Sequence, residues 1–365
     1  MKFSKLSISS FRGIQKLEMN DFGNLNLLLG DNNSGKTSVL EAIFLSTGIS
    51  NAQLPLRIDA FRNLFHTEED DFRFIFYNLD YEHDLLIHAE LDQGNHKRSL
   101  SIKPITNIDL GEKVSTEVDS GSVKGLNSGT QLQKKINGLS LSFGIKEKQT
   151  KARKFISRIF MQRDDGRIEF KVEPPKNYHE TLSGVFILSD INSPDLAKRL
   201  ENVIIQKKQG QIVSALNAID EKIQDITVVT NGMIYFDIGL ERLIPANIIG
   251  DGVRRLLNIL TTITAHEGGI ILIDEIENGL HYSTLKVLWR SVLKAAQKFD
   301  VQIFATTHNA ETLKYLREVL EEESFSHYQD QIRSYTLRKY DHETKAYKYK
   351  FKEFEHSVDY EIEMR

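Results

Sequence analysis

The chain lacks cysteine, long apolar runs and a strong net charge, and each absence excludes a class of protein. Without cysteine there is no disulfide, no thiolate zinc finger and no thiol nucleophile. No apolar run approaches the roughly 20 residues that span a bilayer. The first residues alternate polar and apolar side chains, unlike a secretory signal. We therefore expect a soluble, cytoplasmic protein.

The net charge of −4 is too small to indicate a partner. Any contact with nucleic acid must then come from a local basic patch. Heptad repeats are absent as well, which excludes a long coiled coil. With 40% hydrophobic and 27% charged residues, the 365 residues have the composition of a folded globular protein. That length is sufficient for about two domains of ordinary size.

Apolar periodicity divides the chain into three parts. Residues 1–105 alternate as strands do and contain a glycine loop, which predicts an N-terminal lobe. Residues 106–235 begin with a stretch rich in Gly, Ser, Thr and Asn at 107–131, which predicts an inserted arm. Residues 236–365 alternate strands with helices and predict a C-terminal lobe. The expected fold class is therefore α/β, with two lobes, a mixed or parallel sheet and an inserted subdomain.

The same periodicity locates the individual elements. Strands are predicted at 3–29, as two or three strands, and at 72–77, 85–91, 100–105, 139–143, 168–172, 270–273 and 301–305, with a hairpin at 334–349. Helices are predicted at 37–45, 195–205, 211–219, 252–265 and 283–299.

The segment from Gly30 to Thr37 reads G-D-N-N-S-G-K-T and matches the phosphate-loop pattern G-x-x-x-x-G-K-[ST]. It follows a predicted strand and opens a predicted helix, as that pattern requires. Glycines let the backbone amides turn towards phosphate, and the helix N-terminus attracts anions. Lys36 is expected to reach the terminal phosphates, and the Thr37 hydroxyl to bind Mg²⁺. The candidate nucleotide-binding residues here are Gly30, Asn32, Asn33, Ser34, Gly35, Lys36, Thr37 and Ser38.

A buried strand at 270–273 is followed directly by Asp274 and Glu275. A phosphate loop needs a carboxylate at the end of a neighbouring strand to hold the metal, and Asp274 is the predicted ligand. Glu275 is the predicted general base, since a second carboxylate there can be aimed at an attacking water. Taken alone, such a pair can simply be the end of a strand.

Two further features lie at element ends. His308 follows the strand at 301–305, where ligands bind in open α/β sheets, and can donate to a γ-phosphate. Gly250, Asp251 and Gly252 open a helix and could form another anion site. Because the phosphate loop already supplies one such site, we expect Gly250 to Gly252 to bind the phosphate of a partner subunit. An ordinary capped turn is the alternative.

Taken in order, these motifs resemble those of ABC-type ATPases, and most closely the stand-alone relatives of the RecF, SMC and OLD (overcoming lysogenization defect) ATPases. The resemblance covers roughly residues 1–105 and 235–365. It implies a homodimer that sandwiches two ATP molecules with Mg²⁺, in which Gly250 to Gly252 replace the signature motif. It also makes His308 the switch histidine and Arg12 a nucleotide-proximal arginine.

The departures from the family pattern narrow the function. His281 stands where transporter domains have an aspartate, as in OLD-like ATPases, and the signature lacks its serine. Gln53 is a poor match for the lobe-joining glutamine. No Toprim-like nuclease sequence follows His308. We therefore expect a separate effector, as in two-component bacterial antiphage systems that pair an ATPase with a Toprim-like or other nuclease.

Two alternatives remain open. A RecF-like clamp for DNA repair would use the segment 146–167, which has eight basic and three acidic residues with Phe155, Ile156 and Phe160 interleaved. A solvated or protein-docking face would explain the same segment. The chain could also be a scaffold that binds ATP tightly without turnover.

Overall fold

The computed structural model describes residues 1–106, 136–164, 167–189, 195–341 and 343–359. The predicted Gly/Ser/Thr/Asn-rich stretch at 107–131 lies outside these residues. Among the helices described, none is both long and apolar enough to cross a membrane.

The described residues form sixteen strands and eight α-helices. The strands are β1 (Phe3–Phe11), β2 (Ile14–Asn20), β3 (Leu25–Leu29), β4 (Leu85–Leu91), β5 (His96–Thr106), β6 (Ile136–Glu147), β7 (Arg153–Asp164), β8 (Arg167–Glu173), β9 (Gly184–Ile187), β10 (Asp225–Val228), β11 (Ile234–Asp237), β12 (Ile244–Pro245), β13 (Ile270–Ile273), β14 (Gln302–Thr306), β15 (Ile332–Lys339) and β16 (Thr344–Tyr349). The helices are α1 (Lys36–Thr47), α2 (Leu54–Ala60), α3 (Leu196–Ile205), α4 (Gly210–Asn217), α5 (Asp251–Ala265), α6 (Leu285–Lys298), α7 (Ala310–Glu321) and α8 (Phe351–Asp359).

Three sheets are formed. Seven antiparallel strands make the first, in the order β2-β1-β4-β5-β6-β7-β8, and β10, β11 and β12 make a small third one. Because β5 pairs with β6 along almost its whole length, the first sheet continues across the predicted boundary at residue 105. The division into three domains stays a prediction, but this boundary does not separate two sheets.

The central sheet has the order β16-β15-β3-β14-β13-β9, with β16 antiparallel and the other five strands parallel. Successive residues of β3 enter different cores: Leu27 and Leu29 pack with α5, α6 and α7, whereas Leu28 packs with α1 and the seven-stranded sheet. Because the central sheet is covered on both faces, strands such as β13 are apolar at every position.

Parallel pairing brings the carboxyl ends of β3, β13 and β14 to one edge of the central sheet. The loop from Gly30, the Asp274–Glu275 pair and the segment around His308 leave the sheet at this edge. Helix α1 and helix α5 lie on opposite faces of the sheet, because their apolar side chains belong to different cores. This arrangement determines what each candidate residue can reach.

The predicted strand at 72–77 is wrong, since a 3-10 helix occupies Glu69–Ile75. Its buried residues Phe72 and Ile75 are three positions apart, which is the 3-10 period and not the strand period. The Asp71 carboxylate accepts hydrogen bonds of 2.7 and 2.8 Å from the amides of Thr67 and Glu68 and so holds the turn. The elements that were not predicted are helices α2, α7 and α8 and strands β7, β9, β10, β11 and β12.

Candidate active site

The loop between β3 and α1 depends on two glycines. Gly30 and Gly35 have φ of 129° and 102°, a region that L-residues with a Cβ rarely adopt. A Cβ on Gly30 would also lie 2.6 Å from the Leu337 carbonyl oxygen. The loop therefore packs closely against β15. The amides of the first turn of a helix have no acceptor inside the helix and are available to an anion.

Lys36 and Thr37 begin this helix. The Lys36 ammonium donates hydrogen bonds to the carbonyl oxygens of Gly30 at 2.7 Å and Asp31 at 2.8 Å. Burial lowers the pKa of Lys36, although the neighbouring Asp274 carboxylate opposes this effect. The Thr37 hydroxyl lies 3.1 Å from Oδ1 of Asp274. The predicted metal ligands, Thr37 and Asp274, are thus in direct contact.

The other predicted loop residues differ in exposure. Asn32 and Asn33 are exposed, whereas Ser34 and Ser38 are buried. The Ser34 hydroxyl has no hydrogen-bond partner within the described part of the chain, and the Ser38 hydroxyl accepts a 3.3 Å bond from Arg62. A buried donor without a partner is costly, so the Ser34 hydroxyl fits a site that receives an acceptor such as a phosphate oxygen.

Thr306, the last residue of β14, connects Asp274 with Glu275. Its hydroxyl donates a 2.7 Å hydrogen bond to Oδ1 of Asp274 and accepts one of 2.7 Å from the amide of Glu275. The Glu275 backbone has a φ of 47°, which is left-handed and unfavourable for glutamate. Its side chain is about half exposed and free to turn towards a ligand. Sequence reasoning did not single out Thr306, because a threonine at a strand end is common.

Arg255 holds the same segment from the other face of the sheet. The residue is fully buried, and its guanidinium donates to the carbonyl oxygens of Leu188, Asp274 at 2.7 Å and Glu275 at 2.9 Å. Burial lowers the pKa of Arg255 to about 10, against the opposing field of Asp274. In the sequence, Arg255 is only one of two arginines that follow Gly252. Its hydrogen bonds to backbone carbonyl groups could therefore not be predicted.

His308 lies between two carboxylates. Its Nδ1 is 3.7 Å from Oε1 of Glu275 and 3.7 Å from Oε1 of Glu277, and more than half of its side chain is exposed. Glu277 is buried, accepts a 2.8 Å hydrogen bond from the Thr307 hydroxyl, and has its pKa raised by burial. The structure therefore brings His308 beside Glu275, as expected for residues that share one ligand.

Gly250, Asp251 and Gly252 lie at the start of α5, with Gly250 as the N-cap. Asp251 pairs with Arg254. A Cβ on Gly252 would be 3.3 Å from the Gly279 carbonyl oxygen, so this end of α5 packs on the turn before His281. Among the described contacts, none joins Gly250, Asp251 or Gly252 to the phosphate loop.

Arg12 lies in a buried ion-pair cluster. Its guanidinium is 3.2 Å from Glu41 and 2.8 Å from Asp59, and both carboxylates are fully buried. Arg62 completes the cluster with a 2.7 Å contact to Glu41 and is the arginine that reaches Ser38 in the described structure. A nucleotide contact of Arg12 stays a prediction, and sequence reasoning did not single out Arg62.

The described residues of the basic segment at 146–167 form the end of β6, a turn, β7 and the first residue of β8. Lys151 and Lys154 are exposed. Arg153 lies 3.7 Å from Glu147, and Arg158 lies 3.2 Å from Glu173 on β8. These ion pairs offset part of the positive charge.

Gln53, the poor match for the lobe-joining glutamine, is exposed and is the residue before α2.

The donor atoms at the sheet edge fit Mg²⁺. The Thr37 hydroxyl and the Asp274 carboxylate are hard oxygen ligands, the type Mg²⁺ prefers. The described residues contain no group of three or more His, Asp and Glu that could hold a metal by themselves. A Mg²⁺ ion here would therefore take two protein ligands and complete its shell with phosphate oxygens and water, as it commonly does in nucleotide sites.

Comparison with known proteins agrees with this geometry. Residues 25–314 match the family model described as "AAA domain, putative AbiEii toxin, Type IV TA system". An "ATP/GTP phosphatase" of Helicobacter pylori is 25% identical over 338 residues, which cover 88% of this chain and 89% of that protein. The "DNA replication and repair protein RecF" of Actinobacillus pleuropneumoniae is 34% identical over 104 residues, 28% of this chain and 24% of that protein.

Among solved structures, the SMC head bound to the C-winged helix domain of ScpA has a similar fold. Its TM-score is 0.50 at 11% sequence identity, and the match covers 96% of this chain and 99% of that one. At 11% identity this similarity shows a shared fold alone.

Proposed function

We propose that this chain, which belongs to the AAA-domain family whose model matches it, binds ATP with Mg²⁺ at the loop after β3 and hydrolyses it there. Family membership and the similar proteins confirm the predicted assignment to the RecF/SMC/OLD-like group of ABC-type ATPases and the expected enzyme class, an ATPase. The predicted two-lobed α/β fold of this class is confirmed by the SMC head likeness. The residues that perform the reaction, the metal and the partners are our proposal.

The contact between Thr37 and Asp274 is the observation that carries the proposal. Two oxygen ligands for Mg²⁺ come from elements 237 positions apart in sequence and meet at 3.1 Å. Bound Mg²⁺ would neutralise charge on the phosphates. Lys36, which now donates to two carbonyl oxygens of its own loop, would donate to phosphate oxygens instead.

Glu275 is the proposed general base. Its backbone is fixed by Thr306 on one side and Arg255 on the other, while its carboxylate stays about half exposed. A fixed backbone with an accessible carboxylate suits a group that must take a proton from water at a defined position. His308, 3.7 Å from that carboxylate, is placed to donate to the γ-phosphate and to respond to its loss.

A homodimer completes the site in this proposal. Helix α5 begins with Gly250, Asp251 and Gly252 and packs in the core opposite to that of α1. Its N-terminus is therefore proposed to serve the nucleotide of a second copy, in a head-to-tail dimer with two ATP molecules. Asp251 adds a negative charge that Arg254 balances.

The biological role we propose is that of the sensor ATPase in a two-component bacterial antiphage system, acting in the cytoplasm on a separate effector protein such as a nuclease. Support comes from the family description, which joins an AAA domain to a toxin–antitoxin system. A RecF-like, ATP-gated DNA-binding clamp for DNA repair is the second candidate, favoured by the 104-residue similarity to RecF. An ATP-binding scaffold without turnover is the third.

The direct test is to measure ATP binding by calorimetry, phosphate release, and mass by light scattering on the purified chain with and without MgATP. The proposal expects Mg²⁺-dependent binding and turnover and a doubled mass with ATP. Binding without turnover would favour the scaffold. A nucleotide-bound crystal structure in which Lys36 and Asp274 do not share one phosphate–metal group would contradict the proposed site.

Copurification of an effector that ATP turnover releases would support the defence role, and a chain that acts alone to protect DNA ends would refute it.

A further inference from the structure

Arg255 is a fully buried arginine whose contacts are unusual. The buried carboxylates Glu41 and Asp59 have arginine partners, but the Arg255 guanidinium contacts no carboxylate within the described residues and bonds three backbone carbonyl oxygens instead. Burying this charge is costly, since burial lowers the pKa of Arg255 although the fields of Asp274, Glu277 and Glu275 oppose the shift. An apolar residue of similar size would avoid the buried charge but would leave the three carbonyl oxygens without this donor, so these bonds are what Arg255 contributes.

The accepting carbonyl groups are those of the candidate catalytic segment. Two belong to Asp274 and Glu275, and the third belongs to Leu188 at the end of the neighbouring strand β9. Glu275 has a left-handed φ of 47°, a conformation that glutamate keeps only when the surroundings hold it. Arg255 bonds the carbonyl oxygen of this residue at 2.9 Å and so fixes the peptide after it.

Arg255 also belongs to helix α5, one turn after Gly252. A helix turn is rigid, so a displacement of the N-terminal turn of α5 moves the guanidinium with it. Gly252 in turn packs against the carbonyl oxygen of Gly279, in the segment that continues from Glu275. The start of α5 and the segment after β13 are therefore joined at two points.

We propose that Arg255 is a positioning residue that makes the aim of Glu275 depend on the position of the N-terminal turn of α5. This inference rests on the proposed function, in which that turn binds the nucleotide of the second copy. Occupation of Gly250 to Gly252 by the partner's phosphate then sets the general base in the first copy. Hydrolysis is thereby confined to the closed dimer, although each copy holds its own Lys36, Asp274 and Glu275.

An arginine suits this task better than a lysine. The planar guanidinium has five donors in a fixed fork and can bond several carbonyl groups in one plane, whereas an ammonium is a point charge on a flexible chain. Arg255→Lys keeps the charge but not the fork, and it separates positioning from electrostatics. Arg255→Met removes both.

The test compares Arg255→Lys and Arg255→Met with Arg199→Lys, a control at another largely buried arginine, on α3. For both Arg255 variants we expect kcat to fall about tenfold or more, while the Kd for ATP and ATP-driven dimerisation stay within about twofold. The control should keep kcat. A kcat like that of the wild type in Arg255→Lys, or parallel losses of kcat and ATP affinity, would overturn the proposal.

A second measurement needs no Arg255 variant. Hydrogen exchange of the unmodified chain, saturated with MgATP, is compared at protein concentrations that give monomer and dimer. We expect peptides at the start of α5 and peptides containing Glu275 to become protected together on dimerisation. Protection of α5 alone would overturn the coupling. If Glu275→Gln keeps wild-type turnover, the proposed function fails, and that result is independent of either Arg255 measurement.

Discussion

The Thr306 hydroxyl donates a 2.7 Å hydrogen bond to Oδ1 of Asp274. Because the same hydroxyl also accepts the amide hydrogen of Glu275, one buried threonine holds the Asp274 carboxylate and the Glu275 backbone. The third strand of the site, β14, thus contributes to the metal ligand and to the base before any contact with nucleotide.

Thr306→Val should break the link between the Asp274 carboxylate and the Glu275 backbone. Valine matches threonine in shape and suits a buried strand position, but it cannot bond Asp274 or accept from Glu275. We expect kcat to fall about tenfold and the Mg²⁺ concentration for half-maximal rate to rise, as measured by phosphate release over a Mg²⁺ series. Thr306→Ser retains the hydroxyl and should restore most of the rate. Equal rates for Val and Ser variants would refute the role of the hydroxyl.

Glu275→Gln should separate binding from chemistry. The amide is nearly the same size and keeps the backbone bond to Thr306, but it cannot accept a proton from water. We expect ATP binding to be retained, a dimer to accumulate with MgATP, and turnover to fall at least ~100-fold. Light scattering and phosphate release measure these effects. Glu267→Gln, at an exposed carboxylate, is the control, and turnover retained in Glu275→Gln would exclude this base.

Lys36→Ala should abolish ATP binding, the step before hydrolysis. The ammonium is the loop's only charged donor to phosphate, so its loss removes ATP binding itself and not only turnover. Calorimetric titration with MgATP should show an affinity at least ~100-fold weaker. Lys314→Ala, at an exposed position on α7, should bind ATP normally. Unchanged affinity in Lys36→Ala would place the nucleotide elsewhere.

The central part of this site could be predicted from sequence because each residue follows a strongly apolar strand. The phosphate loop after β3, Asp274 and Glu275 after β13, and His308 after β14 all lie at the edge expected for parallel strands. The end of each apolar strand can be located from local sequence, and the alternation of strands with helices indicates that the strands are parallel. The fold class therefore predicted that these three motifs would lie close together.

The supporting residues could not be predicted for a physical reason. Arg255 lies on a helix on the opposite face of the sheet, and its bonds are to backbone carbonyl groups, which have no sequence signature. Arg62 contacts Glu41 beside Arg12 and reaches Ser38, and these long-range side-chain contacts could not be predicted from sequence. Strand β7 was read as a basic patch because charged residues alternate along it with apolar ones.

Charge reversal of Lys151, Arg153 and Lys154 distinguishes the proposed sensor function from the DNA clamp. Arg153 already has an acidic neighbour, Glu147, and Glu173 lies beside Arg158 on the same hairpin. We therefore expect the wild type and the triple Glu variant to bind duplex DNA within about threefold of each other at physiological salt. Fluorescence anisotropy over a salt series measures this. A salt-dependent affinity that the reversal lowers by more than tenfold would favour the clamp.

Glu277→Gln should stabilise the fold at neutral pH and leave it unchanged in acid. Burial raises the pKa of Glu277 in the folded protein above its value in the unfolded chain. As pH rises, the unfolded chain therefore loses this proton first, and folding becomes less favourable until pH passes the folded-state pKa. The glutamine oxygen can accept the bonds from Thr307 and the His308 amide, and its NH2 replaces an oxygen that has no hydrogen-bond partner among the described residues. No bond is lost, while the cost of the buried charge disappears.

The measurement of this effect is the thermal unfolding midpoint of Glu277→Gln and wild type between pH 4 and pH 8, roughly the range that spans the ordinary carboxyl pKa and neutrality. The midpoint of the variant should exceed that of the wild type at the upper end, and the difference should close as pH falls, because wild-type Glu277 then takes up a proton. Exposed Glu267→Gln should show no such trend. A gap that is constant with pH, or a variant less stable at neutral pH, would mean that the buried carboxylate is compensated by a partner such as His308, 3.7 Å away.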